Sequence, residues 1–142
     1  MNWRRAVSTG ALWAVVYNYA WGIAWFAFMR QEWLVAVAAV RRLMPWTAEV
    51  WFGWVTITLP IGVLVMVYAD GQKRLPTLSA LYASFSIWVV LTAGFCLSAR
   101  QQGYSVRVLA LDAAVNLFGM AMASVVSGWS LRDASSLGAV SR

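Results

Sequence analysis

Asp112 is the one acid set inside a long apolar stretch of this chain. A carboxyl in such surroundings is costly and reads as a site for a proton or a cation. The other acids, Glu32, Glu49, Asp70 and Asp133, are scattered, so no paired-carboxylate chemistry is signalled. Histidine is absent. That removes the commonest metal ligand and the default general base. Cys96 is the one cysteine, so a disulfide, a CxxC redox pair and a thiolate zinc site are all excluded within the chain. The serines lack a histidine, and Lys73 or an arginine would have to serve as their base; no motif brings them together. No glycine loop for phosphate is present. The expectation is a non-enzymatic chain with no metal and no cofactor of its own.

The elements that must position Asp112 follow from composition. Of 142 residues, 62% are apolar and 11% charged, and the mean hydropathy is +0.68. A water-soluble domain carries about 25% charged residues, and a disordered chain needs low hydrophobicity. The composition therefore predicts a polytopic membrane protein. A bilayer core takes about 20 apolar residues per helix. Charge-free gaps of that length predict spans over 6–29, 50–69, 75–99 and 108–131, the last broken only by Asp112. None shows the alternation of a membrane strand. The fold class is thus all-α, one integral domain over 1–142: a four-transmembrane-helix up-down bundle. The first span reads as retained, since it is too long and too rich in Trp and Tyr for a cleaved signal.

Residues 32–44 are too few to cross and predict a short interfacial helix, with Glu32 at its start, Arg41 and Arg42 at its end and Pro45 as its stop. The turns at Asp70–Pro76 and Arg100–Arg107 are short, so successive helices should lie antiparallel. The small polar tail from Ala134 predicts disorder. The formal charge of +6 is spread over all loops, which suits anionic lipid and not nucleic acid. Six basic residues on the terminal side against five opposite favour cytoplasmic termini in a cell (inner) membrane.

Helices in lipid associate through small and polar residues. Gly10, Ala14, Asn18 and Gly22 form a row in span one, and Asp112, Asn116, Gly119, Ala123 and Ser127 a row in span four; these two rows are the expected seam. Span three offers Ser79, Ala83, Ser86 and Ala93, and span two Gly53, Thr56 and Pro60, with a kink expected at Pro60. Asn18 and Asn116 should bond each other or backbone, or else a ligand. Asp112 itself lies five residues past Arg107, about 7 Å of helix rise, where a helix N-terminus and interfacial water also suit an acid.

Ten tryptophans are present. Trp3 and Trp129 at one end, and Trp25, Trp33, Trp46, Trp51 and Trp54 at the other, match interfacial belts. Trp13, Trp21 and Trp88 lie deeper, where each needs an acceptor for its N–H or a pocket to face. Trp21, Trp25, Trp33, Trp54 and Trp88 are the candidate interface aromatics, and an aromatic groove for lipid, quinone or carotenoid is the sharper alternative. Cys96 reads as a small buried hydrophobe.

The segment Tyr17-Asn18-Tyr19-Ala20-Trp21-Gly22-Ile23-Ala24-Trp25-Phe26, with Gln31-Glu32-Trp33 after it, resembles the first helix of a family of small four-helix bacterial membrane proteins of unknown function. Ser105 through Asp112, and on to Ser127-Gly128-Trp129, is similar to that family's closing helix. The resemblance implies a four-helix fold and no assigned activity. Two functions follow as expectations. The first is a non-catalytic bundle working by lateral contact, as a homo-oligomer or an accessory subunit of a larger, respiratory or photosynthetic, membrane complex. The second is a small dimeric proton-coupled transporter, with Asp112 as the coupling site and Asn18, Asn116 and Trp21 lining its cavity. A third, a lipid-modifying or quinone enzyme, would need Glu49 paired with Arg41 or Arg42, and such surface pairs are usually only ion pairs.

Overall fold

The structure, a computed structural model, describes residues 3–40, 48–72 and 75–140. It is an all-α bundle built from α1 (Trp3–Ala24), a π-helical turn (Trp25–Met29), α2 (Arg30–Val40), α3 (Ala48–Gly71), α4 (Pro76–Gln101) and α5 (Val106–Val140). Four helices among the described residues are long and apolar enough to cross a bilayer: Trp3–Ala36, Phe52–Gly71, Pro76–Gln101 and Val106–Arg132. They are compatible with an integral membrane protein.

The predicted short helix is present from Arg30 to Val40, and it grows out of α1 without a break. The join is the π-turn, in which the Arg30 N–H reaches back to the Trp25 carbonyl. Arg41, Arg42 and Pro45 lie outside the described residues, as do Lys73 and Arg74. α5 runs to Val140, well past the expected end at 131. The expectation of a disordered tail from Ala134 is therefore corrected: adding residues to a nucleated helix gains one hydrogen bond for each residue fixed, and the tail follows α5 directly.

The two turns have readable causes. Pro76 occupies the first turn of α4, where its missing N–H costs nothing. At the other end of α4, Gly103 takes a φ of +93°. Tyr104 N–H then bonds the Ala99 carbonyl and Gly103 N–H the Arg100 carbonyl, both at 3.1 Å. This is a Schellman stop, which needs a left-handed residue and so selects glycine. Ser105 opens α5 as its N-cap, accepting from Val108 N–H at 3.3 Å.

α1 packs along α3 and α5, and α4 packs along α5 and more lightly along α3. α1 and α4 occupy opposite corners of the square. The α1–α5 seam exists, but α1 presents a different row to it. Gly10 faces α3, where a Cβ would come 2.6 Å from Val63 Cα. Asn18 also faces α3, donating to Thr58 Oγ1 at 2.8 Å. Nothing lies within 4 Å of a Cβ built on Gly22, so it is no packing contact. The row that meets α5 is Trp13, Tyr17 and Trp21: Gly119 would place its Cβ against the Tyr17 ring and Trp21 Cβ at 3.1–3.2 Å. Small residues on α5 therefore receive large ones from α1, an interlock that glycine and serine spacing alone does not reveal. On α4 the buried positions are Ala80, Ser84 and Ala99, while Ser86 and Ala93 are exposed. On α3 the inner face carries Thr58, Gly62, Val65, Met66 and Ala69, and Thr56 and Pro60 face outward. α3 is helical on both sides of Pro60 without interruption.

Three helices meet at one hydroxyl. Ser124 Oγ donates to the Met120 carbonyl at 2.7 Å. It accepts the Trp13 indole N–H at 3.1 Å and lies 2.7 Å from Ser84 Oγ. One proton and two lone pairs serve all three contacts, tying α1, α4 and α5 together.

Candidate functional site

The inward row of α1 does not fill the bundle. Between the helices lies a cavity of about 370 Å³, within the range of about 300–1,000 Å³ typical of small-molecule sites. α1 supplies Trp13, Tyr17 and Trp21 to its wall; α2 supplies Trp33; α3 supplies Trp54 and Thr58; α4 supplies Trp88 and Phe95; α5 supplies Asp112 and Asn116.

The rings are mutually braced. Trp13 and Tyr17 stack at 5.3 Å between centroids with planes 8° apart. Trp54 lies 6.4 Å from the Tyr17 ring and 6.2 Å from Trp21. Trp33 packs 5.6 Å from Tyr104, which the Schellman stop folds back under α5. Beside them Arg107 pairs with Glu32 at 2.6 Å, joining α5 to α2. These contacts close one end of the cavity. Ile57 is 55% exposed, Leu91 44% and Phe95 38%, although all three also line the wall. The wall thus reaches the outer surface between α3 and α4, the most lightly packed neighbours in the ring, and the cavity opens there.

The polar groups are few. Asn116 bridges two elements: its Oδ1 accepts the Tyr17 hydroxyl at 2.6 Å and its Nδ2 donates to the Asp112 carbonyl at 2.9 Å. Asp112 is half-buried in the wall. No described lysine or arginine pairs with the Asp112 carboxyl within 4 Å. The Trp54 indole N–H is buried, with the Tyr17 hydroxyl as its polar neighbour. No group of three metal-ligating side chains occurs among the described residues.

The cavity gathers Asp112, Asn116, Trp21, Trp33, Trp54 and Trp88 from the sequence candidates. Asn18 stays outside it. The Asn18 amide donates to the Ala14 carbonyl and to Thr58, so the two asparagines do not bond each other; each uses backbone. Gly22 lies on a shallow outer groove with Tyr19 and Phe26, and Gly119 is a close-packing position on α5. The candidate interface aromatics turn inward: Trp21, Trp25 and Trp33 are buried, and Trp54 and Trp88 are half-buried against the core. Trp25 adds to the same cluster, 6.2 Å from Trp21. Of the expected belts, Trp3 and Trp129 are exposed; Trp46 and the Trp51 side chain lie outside the described residues. The deep tryptophans behave as their chemistry requires. Trp13 bonds Ser124, Trp88 donates to the Ala113 carbonyl at 2.9 Å, and Trp21 faces the cavity. Cys96 is free and half-buried against the core.

The residues missed in sequence are Tyr17, Thr58 and Phe95. Tyr17 carried a signal, since it falls midway between Trp13 and Trp21 at four-residue steps; Thr58 and Phe95 carried none. No family model, no curated protein and no solved structure matches this chain. The functional reading therefore rests on geometry.

Proposed function

We propose that this chain is a multi-pass membrane protein that holds a small, mainly apolar molecule inside its bundle, with Asp112 as the polar anchor. The observation that carries this reading is the position of Asp112, in the wall of a 370 Å³ aromatic cavity with no described lysine or arginine beside it. Ionisable groups in membrane spans mark substrate and proton paths because their burial must be offset by use. As a dimer the chain is a small proton-coupled carrier in which the ligand and a proton take turns on the same carboxyl. The basic-residue count supports cytoplasmic termini in a bacterial inner membrane. Of the lipid-like ligands, the volume favours a single-headed amphiphile over a carotenoid.

The lateral-contact reading, as an accessory subunit or a structural oligomer, stands second. The absence of histidine, the lack of a midplane charge and the short loops still favour it, but its fourth support, a Trp-rich perimeter, is weakened because most of those rings line the interior. The apolar surface that remains is what lipid itself covers.

Native mass spectrometry of the chain released gently from its own membranes tests the proposal. A small molecule retained at fixed stoichiometry, and lost with Asp112→Asn, is the expected result. A ligand-free chain that travels at fixed stoichiometry with a larger complex would overturn it in favour of lateral contact.

A further inference from the structure

The ligand's chemical class can be argued from the wall, taking the cavity as a binding site. Among the described residues, every charge the wall carries is on Asp112, and no described lysine or arginine lines it. The rest of the polar surface is neutral, from Asn116 and threonine hydroxyls. An anionic ligand would meet a carboxylate with nothing to offset it. A neutral ring would leave the carboxyl without a partner in apolar surroundings, which is costly.

An inorganic cation fits no better. Such ions need several oxygen ligands to replace their water, and one carboxylate among indole rings does not supply them. The cavity is also far larger than a bare ion. A soft organic cation meets neither obstacle. Its charge is spread over carbon-bound hydrogens, so little hydration is lost. Indole faces carry negative potential and attract cations within about 6 Å of the ring centre, with tryptophan the best of the aromatic residues. Trp21, Trp54 and Trp88 line the same chamber as the carboxyl.

We propose that the cavity binds an organic monocation with an apolar or aromatic body, its ammonium centre paired with Asp112 and held among the tryptophan rings. The body fills the apolar end toward Leu91 and Phe95, where the cavity opens between α3 and α4. That opening faces the apolar exterior of the bundle, so the ligand enters from the bilayer and not from water.

The test uses the full chain in lipid nanodiscs and two probes of one shape: dibenzyldimethylammonium, and its neutral isostere with carbon in place of nitrogen. Equilibrium dialysis reads binding, against empty nanodiscs as the partition blank. Saturable binding of the ammonium at least tenfold tighter than of the isostere is expected. Asp112→Asn should erase that preference while Asp112→Glu keeps most of it. The wild-type comparison stands even if a variant fails to fold. Equal affinity for the two probes would overturn the cation assignment and leave the binding-site reading intact. Saturable binding of neither would overturn both.

Discussion

The Tyr17 hydroxyl and the Asn116 side chain meet at 2.6 Å, with Tyr17 donating. The contact joins α1 to α5 at the height of the cavity, and Asn116 passes the link on to the Asp112 carbonyl. Tyr17→Phe keeps the ring and deletes the bond. Hydrogen bonds between membrane helices average about 0.6 kcal/mol and reach about 1.7 kcal/mol. A loss in that range is expected from unfolding in mixed micelles, and an unchanged midpoint would remove Tyr17–Asn116 as a structural link.

Ser124→Ala should cost more than Tyr17→Phe. It strands two donors at once, the Trp13 indole N–H and the Ser84 hydroxyl, where water cannot replace the acceptor. Leaving a buried donor unpaired costs about 1–3 kcal/mol. The double variant Ser84→Ala, Ser124→Ala should recover part of that loss, because one of the stranded donors is gone. Full additivity of the two substitutions would contradict a shared network.

Glycines of equal composition should respond oppositely. An added methyl at Gly128 would stand 2.5 Å from Thr77 Cα, pushing α4 from α5. Gly128→Ala should destabilise by about 1–3 kcal/mol. Gly22 has open space, so Gly22→Ala should be neutral or gain up to about 1 kcal/mol from helix propensity. Thermal melts of the two variants side by side decide the matter.

Tyr104 lies in the turn before α5, outside the spans. It is 2% exposed and its hydroxyl is buried without a hydrogen bond. Burial raises its pKa above the ordinary 10.0. The folded state therefore keeps a proton that the unfolded state releases, and stability falls as pH rises past about 10. Tyr104→Phe should flatten that alkaline slope. Below pH 9 it should be neutral or slightly stabilising, since it removes an unpaired polar group. Denaturation midpoints of both proteins across pH 8–11 check the sign.

The sequence made the bundle legible because charge-free length is set by bilayer thickness, and four gaps leave one topology with short loops. It also pointed to Asp112, Asn116 and the deep tryptophans, because a polar atom in an apolar run has few uses. What it hid was facing. Gly10 and Asn18 sit at the four-residue steps that mark a seam, yet α3 takes that row and α5 takes the row one step round. Either row of one helix can be the one a given neighbour chooses, and the choice depends on the volumes opposite: Gly119 makes room for Tyr17 and Trp21. Belt tryptophans failed for the same reason. Trp25, Trp33 and Trp54 sit near the ends of spans, but position along a helix says nothing of direction around it.

Direction around the first helix is reset at Trp25–Met29. At about 100° per residue, an unbroken α-helix would point Trp33 about 200° from Trp13, to the far side. The wider π-turn absorbs one additional residue and takes back about 100°. Trp33 then comes round to nearly the bearing of Trp21, about 80° from Trp13. The turn acts as a phase shim: it lets one rod present its inner end and its outer end to the same chamber. Deleting Ala27 would remove the shim and leave the rod straight. One residue shorter, the plain α-helix would keep Trp33 near its present bearing and against Tyr104, whereas forcing Trp25–Met29 into α-helix with every residue kept would swing Trp33 and Glu32 outward and uncap the chamber.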